Sequence, residues 1–173
     1  MKLILSLYEF HFSNLDLIMM KKIKFLLATL LISSVATAQV INLSGNWKLN
    51  STKSKLNTEF SFAPATIILT HSGGDLGVEK HYSYQDQDYT VNEKLTLDGK
   101  ECTNIWFRET PKKSTAGWSE DKKSILVSSK VATDNNDITI KEVYKMDGNN
   151  MVMESSASSL DGSISEIFFY DKQ

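Results

Sequence analysis

The chain has 173 residues, a formal net charge of −2 and one cysteine, Cys102. With acids in slight excess it lacks the basic stripe that tracks a phosphate backbone, so nucleic acid is not an expected partner. One cysteine cannot staple an exported fold through an internal disulfide, so a hydrophobic core must supply the stability.

Residues 1–18 lie upstream of Met19 and Met20, where an export signal would begin, and read as an over-extended start. Residues 19–38, MMKKIKFLLATLLISSVATA, have a basic beginning, an apolar run from Phe25 to Ala36 and a small-residue end at Ala36-Thr37-Ala38. That is the layout of a secretory signal peptide cleaved between Ala38 and Gln39, and the run is short for a membrane span. No cysteine directly follows the cleavage point, so a lipid anchor of the bacterial lipoprotein kind is unsupported. The expectation is an exported protein, periplasmic or secreted, with a mature domain over 39–173 and no transmembrane segment.

From Trp47 onward the apolar residues alternate with polar ones, rich in β-branched and aromatic types, which predicts strands. Turn clusters punctuate them: Ser72-Gly73-Gly74-Asp75, 85–88, Asp98-Gly99, Asp121-Lys122, 134–136, Asp147-Gly148-Asn149 and Asp161-Gly162. Gly-Gly and Asp-Gly suit the tight turns that join antiparallel neighbours. The prediction is an all-β fold, one up-and-down antiparallel barrel of eight to ten strands. A long connection, 51–64, follows the first strand, and its Leu56, Phe60 and Phe62 suit a lid or plug.

Turns of even length keep one face continuous from strand to strand. Traced through the chain, that face holds all three tryptophans, Trp47, Trp106 and Trp118, with most of the aliphatic residues. It also holds charged groups. A four-residue turn at 85–88 pairs Tyr84 with Tyr89, Val78 with Leu95 and Lys80 with Glu93. The Asp98-Gly99 turn then sets Asn104 beside Glu93 and Arg108 beside Tyr89. Buried charges need partners, since stranding one costs several kcal/mol in order of magnitude. Lys80, Tyr82, Tyr84, Glu93, Asn104 and Arg108 are therefore the candidate polar anchor of a cavity; the competing reading is a self-neutralising pair or a solvated sheet face. Glu142 and Glu166 fall on the same face beside Ser155, Ala157 and Ser159, whose small side chains leave either room or an open seam.

Other chemistry finds little support. His71 and His81 alternate to opposite faces, so no zinc site is expected. Cys102 faces inward with no histidine to activate it. Met146, Met151 and Met153 read as soft core, and no glycine-rich phosphate loop opens a helix. Neither a metal nor an organic cofactor is expected.

The opening LSGNWKLN, with Gly45 and Trp47 two apart on a first strand, resembles the calycins, which comprise lipocalins and fatty-acid-binding proteins; GNWKL is close to the first strand of the latter. With a DGKE turn at 98–101 and a KSTAGWSEDKKSILV hairpin at 113–127, the chain over 39–173 is similar to secreted bacterial lipocalin-like domains. The resemblance implies that Trp47 plugs the barrel floor. Two departures bear on function. Lipocalins set a late-strand arginine against this tryptophan, and the only arginine here is Arg108. Fatty-acid-binding proteins hold a carboxylate with Arg-x-Tyr on the last strand, which here reads SEIFFYDK, with Phe168 in the arginine's place and Tyr170 alone matching.

The function expected is a non-enzymatic, monomeric carrier or sensor of a small hydrophobic or amphipathic ligand. A solid barrel that meets protein partners through outward Ile105, Phe107, Ile167 and Phe169 is the alternative. A third reading is an enzyme using Glu93 or Glu142 as general base.

Overall fold

Ten strands follow one another between Gly45 and Lys172 in a computed structural model that describes residues 41–58, 60–84, 87–133 and 136–173. The expected leader and start, 1–38, lie outside the described residues. The strands are β1 (Gly45–Leu49), β2 (Thr66–Ser72), β3 (Asp75–Tyr84), β4 (Gln87–Thr96) and β5 (Asp98–Ile105). After a short 3-10 turn at Phe107–Glu109 come β6 (Pro111–Trp118), β7 (Ser124–Ala132), β8 (Asp137–Asp147), β9 (Asn150–Ser159) and β10 (Gly162–Lys172). All pair antiparallel in the order β4-β3-β2-β1-β10-β9-β8-β7-β6-β5, an up-and-down, nearly closed barrel. Among the described residues no helix is long and apolar enough to cross a membrane.

The turn chemistry works as the residues dictate. Ser72 pairs with Asp75 across Gly73-Gly74, and Asp147 pairs with Asn150 across Gly148-Asn149. Gly73 and Gly148 take φ of 61° and 60°, the left-handed geometry such turns need and a side chain resists. The traced inner face is the core. Trp47, Ile67, Leu69, Leu76, Val78, Leu95, Ile125, Val127, Met153 and Phe168 are all buried in one cluster.

One register differs from expectation. Tyr84 pairs with Gln87, leaving two residues between them, so Lys80 lies opposite Val91 and Val78 opposite Glu93. The expected four-residue turn is two residues too long. Because the difference is even, every side chain keeps its face while its partner moves by two places.

The Asp98-Gly99 turn does not produce a paired hairpin. β4 and β5, consecutive in sequence, are the two open edges of the sheet. Asn104 bridges them with its side chain: the Lys94 amide donates to Oδ1 at 2.8 Å and Nδ2 donates to the Lys94 carbonyl at 3.1 Å. A side-chain amide thus replaces a ladder rung at the seam.

Trp47 is wholly buried beyond the start of β1 and donates from Nε1 to the Leu43 carbonyl at 2.9 Å. The Lys172 ammonium stands 5.6 Å from its ring centroid, the place that the resemblance gives to an arginine. Gly45 has φ of 151°, and a Cβ there would sit 3.4 Å from Lys172 Cε and 3.6 Å from the Trp47 ring. The backbone conformation, rather than lack of space, therefore favours glycine two residues before this tryptophan.

The 51–64 connection runs first along β10, with Asn50 N donating to Phe169 O and Lys55 N to Ile167 O, both at 2.8 Å. It then crosses the barrel end, held by Glu166. That buried carboxylate accepts from the Asn57 amide at 2.9 Å and the Phe62 amide at 3.4 Å. Leu56 packs against the core and Phe62 lines a cavity.

Candidate functional site

Alternation along β3, β4, β6 and β8 sends four charged side chains inward at one level of the barrel. Lys80 Nζ donates to Glu142 Oε1 at 2.6 Å and to Glu93 Oε1 at 3.3 Å, and Lys112 Nζ donates to Glu93 Oε1 at 2.8 Å. Tyr144 adds its hydroxyl to Glu142 Oε2 at 3.1 Å. All four charged side chains are buried. Two ammonium and two carboxylate groups cancel, which is how a barrel interior tolerates them.

The electrostatics keep Lys80 and Glu142 ionised. Burial acts to lower the Lys80 pKa, but Glu142 and Glu93 outweigh it and hold it well above the ordinary lysine value. Burial likewise acts to raise Glu142, and the charges of Lys80 and Lys112 override that to hold its carboxyl below the usual value. Tyr144 is pushed up, mainly by desolvation. Desolvation also pushes Tyr82 up to about 12, so both phenols keep their protons.

The hydrogen bonds are not evenly shared. An ammonium carries three donors. Lys80 spends two on carboxylates, whereas Lys112 has one acceptor among the described residues. Glu93 Oε2 has none.

Above this network lies a cavity of about 470 Å³. Lys80, Lys112, Glu142 and Tyr82 form its polar floor, while Glu93 is not part of the lining. Ile138, Ile140, Met153, Ile164 and Phe168 give apolar walls, and Ser155, Ala157 and Ser159 on β9 provide the space that their small side chains leave. Phe62, Trp106 and Phe107 border it as well.

Phe107 owes its position to the strained turn between β5 and β6. Arg108 and Glu109 have φ of 53° and 59°, a left-handed conformation that costs a non-glycine residue roughly 1–2 kcal/mol. The turn brings Phe107 to 5.1 Å from the Tyr82 ring and 5.2 Å from Trp106, edge to face. Phe107 was expected to point outward with Ile105; the chain leaves strand geometry after Ile105, and the ring borders the cavity instead.

Of the residues singled out from sequence, Lys80, Glu93 and Tyr82 come together here. Tyr84 pairs by its backbone with Gln87, and its side chain lies outside the described residues. Asn104 is not beside Glu93 but on the seam, because β4 and β5 form no ladder. Arg108 is not beside Tyr89 on a strand: it is exposed in the left-handed turn. Trp47 sits at the opposite end of β10 from the cavity. Lys112 was missed. The anchor drawn from sequence does not include it, although alternation carried back along β6 from Ser114 puts Lys112 on the inner face. His71 tilts against Trp118 at 5.4 Å, while His81 turns outward to Glu79 at 2.7 Å.

No protein-family model matches the chain, and no curated protein matches it. Solved structures do. A zebrafish ileal bile acid-binding protein, in complex with cholic acid, superposes with a TM-score of 0.55 at 13% identity, over 75% of this chain and 98% of that one. A secretory abundant heat soluble protein from Ramazzottius varieornatus superposes with a TM-score of 0.56 at 15% identity, over 76% of this chain and 95% of that one. At such identities the likeness is one of fold, and the fold is the calycin-type barrel.

Proposed function

We propose that this barrel is a non-enzymatic carrier or sensor that holds one small, mainly apolar molecule. The observation that carries this reading is the cavity of about 470 Å³ with apolar walls and a polar floor. Pockets of this size and composition accommodate molecules of drug-like dimensions. The zebrafish barrel of the same fold is a complex with cholic acid, which agrees with the reading. A solid barrel serving only as an interaction domain does not account for the cavity. General-base catalysis fits poorly too. A base works best with its pKa near the operating pH, yet Glu142 is held below the ordinary carboxyl value, and Glu93 does not line the cavity. The leader pattern at 19–38 supports export to the periplasm or beyond as the setting.

Native mass spectrometry of protein purified from its own host tests the reading, with a co-purifying small molecule expected. Ala157→Phe should fill the cavity and abolish uptake of an uncharged apolar dye while leaving the strand signal in circular dichroism. Dye binding that survives in that variant would place the ligand elsewhere and defeat the proposal.

A further inference from the structure

The ionic network at the cavity floor bears on the ligand's headgroup, an inference that rests on the binding function just proposed. Lys112 is buried, lines the cavity and has one acceptor for its three N–H donors among the described residues. Glu142 lines the same floor, and among the described residues each of its oxygens accepts a single hydrogen bond, from Lys80 and from Tyr144. A carboxylate oxygen has two lone-pair sites, so Glu142 keeps acceptor capacity. The floor thus offers spare donors on Lys112 beside spare acceptor sites on Glu142.

Charge is already balanced. Lys80 and Lys112 are matched by Glu93 and Glu142, and the two lysines are tied to those acids at 2.6–3.3 Å. A ligand carboxylate would add a third anion to this network, where among the described residues no further cation is left to pair it, and an unpaired buried charge costs several kcal/mol in order of magnitude. An uncharged group that both accepts and donates adds no charge and uses both vacant capacities. That group is a hydroxyl.

We infer that the ligand is an apolar molecule ending in an uncharged hydroxyl, which accepts from Lys112 Nζ and donates to the Glu142 carboxylate. Tyr82, also on the lining with its phenol protonated, borders the same headgroup position.

The test uses the full chain and three ligands with one dodecyl body: dodecanol, methyl dodecanoate and dodecanoate. Each competes with N-phenyl-1-naphthylamine, an uncharged fluorescent probe, at neutral pH. Dodecanol should compete about tenfold better than the ester, the value of one additional buried hydrogen bond of roughly 1.4 kcal/mol. The carboxylate should be weaker than the alcohol by at least as much. Glu142→Met removes the acceptor that the alcohol alone can use and should bring alcohol and ester to within about twofold, with folding checked by circular dichroism. If that variant does not fold, the ratio in the unaltered protein decides alone. Tightest binding by dodecanoate, or equal binding of alcohol and ester, overturns the hydroxyl inference while the carrier reading stands. Failure of the probe and all three ligands to bind overturns both.

Discussion

At the scale of single residues, Trp47 and the lysine–glutamate network represent two ways of filling a barrel. Trp47 is fully buried with its one polar atom bonded to Leu43. Trp47→Ala should therefore destabilise by about 3–5 kcal/mol, read as a shift in the urea midpoint. A loss under about 1 kcal/mol would mean that the ring contributes as a surface residue does. The network answers differently because its parts compensate. Lys80→Met leaves Glu93 and Glu142 with only Lys112, and Glu93→Met leaves two lysines with one acid; either should cost about 3–5 kcal/mol. The double variant removes one charge of each sign and leaves Lys112 with Glu142, so it should be less destabilised than either single change. Urea unfolding of the four proteins gives the coupling, and additive losses would contradict a shared buried network.

The elements show where the barrel is tied and where it can open. β4 and β5 meet without a ladder, and Asn104 supplies two hydrogen bonds in its place. Asn104→Ala should cost about 1–2 kcal/mol and speed hydrogen exchange of the Lys94 amide, while β8 and β9 amides keep their protection. Unchanged protection at Lys94 would show that the seam is held otherwise. The 51–64 connection is tied at its far end by Glu166, whose two oxygens take the Asn57 and Phe62 amides. Glu166→Gln keeps one acceptor oxygen and presents a donor where the other stood. Exchange at Asn57 or Phe62 should quicken while the β9–β10 ladder stays protected. If both amides are as slow as before, Glu166 is not what holds this segment over the cavity.

For the whole molecule, the network makes stability depend on pH in a definable direction. Glu142 has its carboxyl below the ordinary value of 4.5 in the folded state, so between the two values the unfolded chain binds more protons. Its contribution is complete above 4.5 and is lost as pH falls through the lowered folded value. Lys80 is the mirror case: its folded value is raised, so its contribution is complete below 10.5 and is lost as pH rises through that raised value. Glu142→Gln should start from lower stability at neutral pH and lose less on acidification than the unaltered protein. Parallel acid limbs in urea midpoints between pH 6 and about 3 would show that other carboxyls dominate acid unfolding.

What the residues determined by themselves was the face each side chain takes. Strict alternation with even turns put Trp47, Lys80, Glu93, Glu142 and Glu166 inside, and a two-residue error in the 85–88 turn changed their partners without moving any of them outward. The reason is that side-chain direction in a strand has period two, a local property that survives any even slip. The partners themselves were decided by tertiary structure. Lys80 reaches Glu142 and Lys112 reaches Glu93 across the interior of the nearly closed barrel, between strands that no turn joins, and only the curvature of the sheet brings them together. Asn104 and Arg108 were misplaced for a related reason. Hairpin reasoning assumes that neighbours in sequence pair and that strands continue straight, whereas the barrel leaves its seam between β4 and β5 and bends at a left-handed Arg108. Closure, not local pattern, decided which charges share the interior and where the cavity lies.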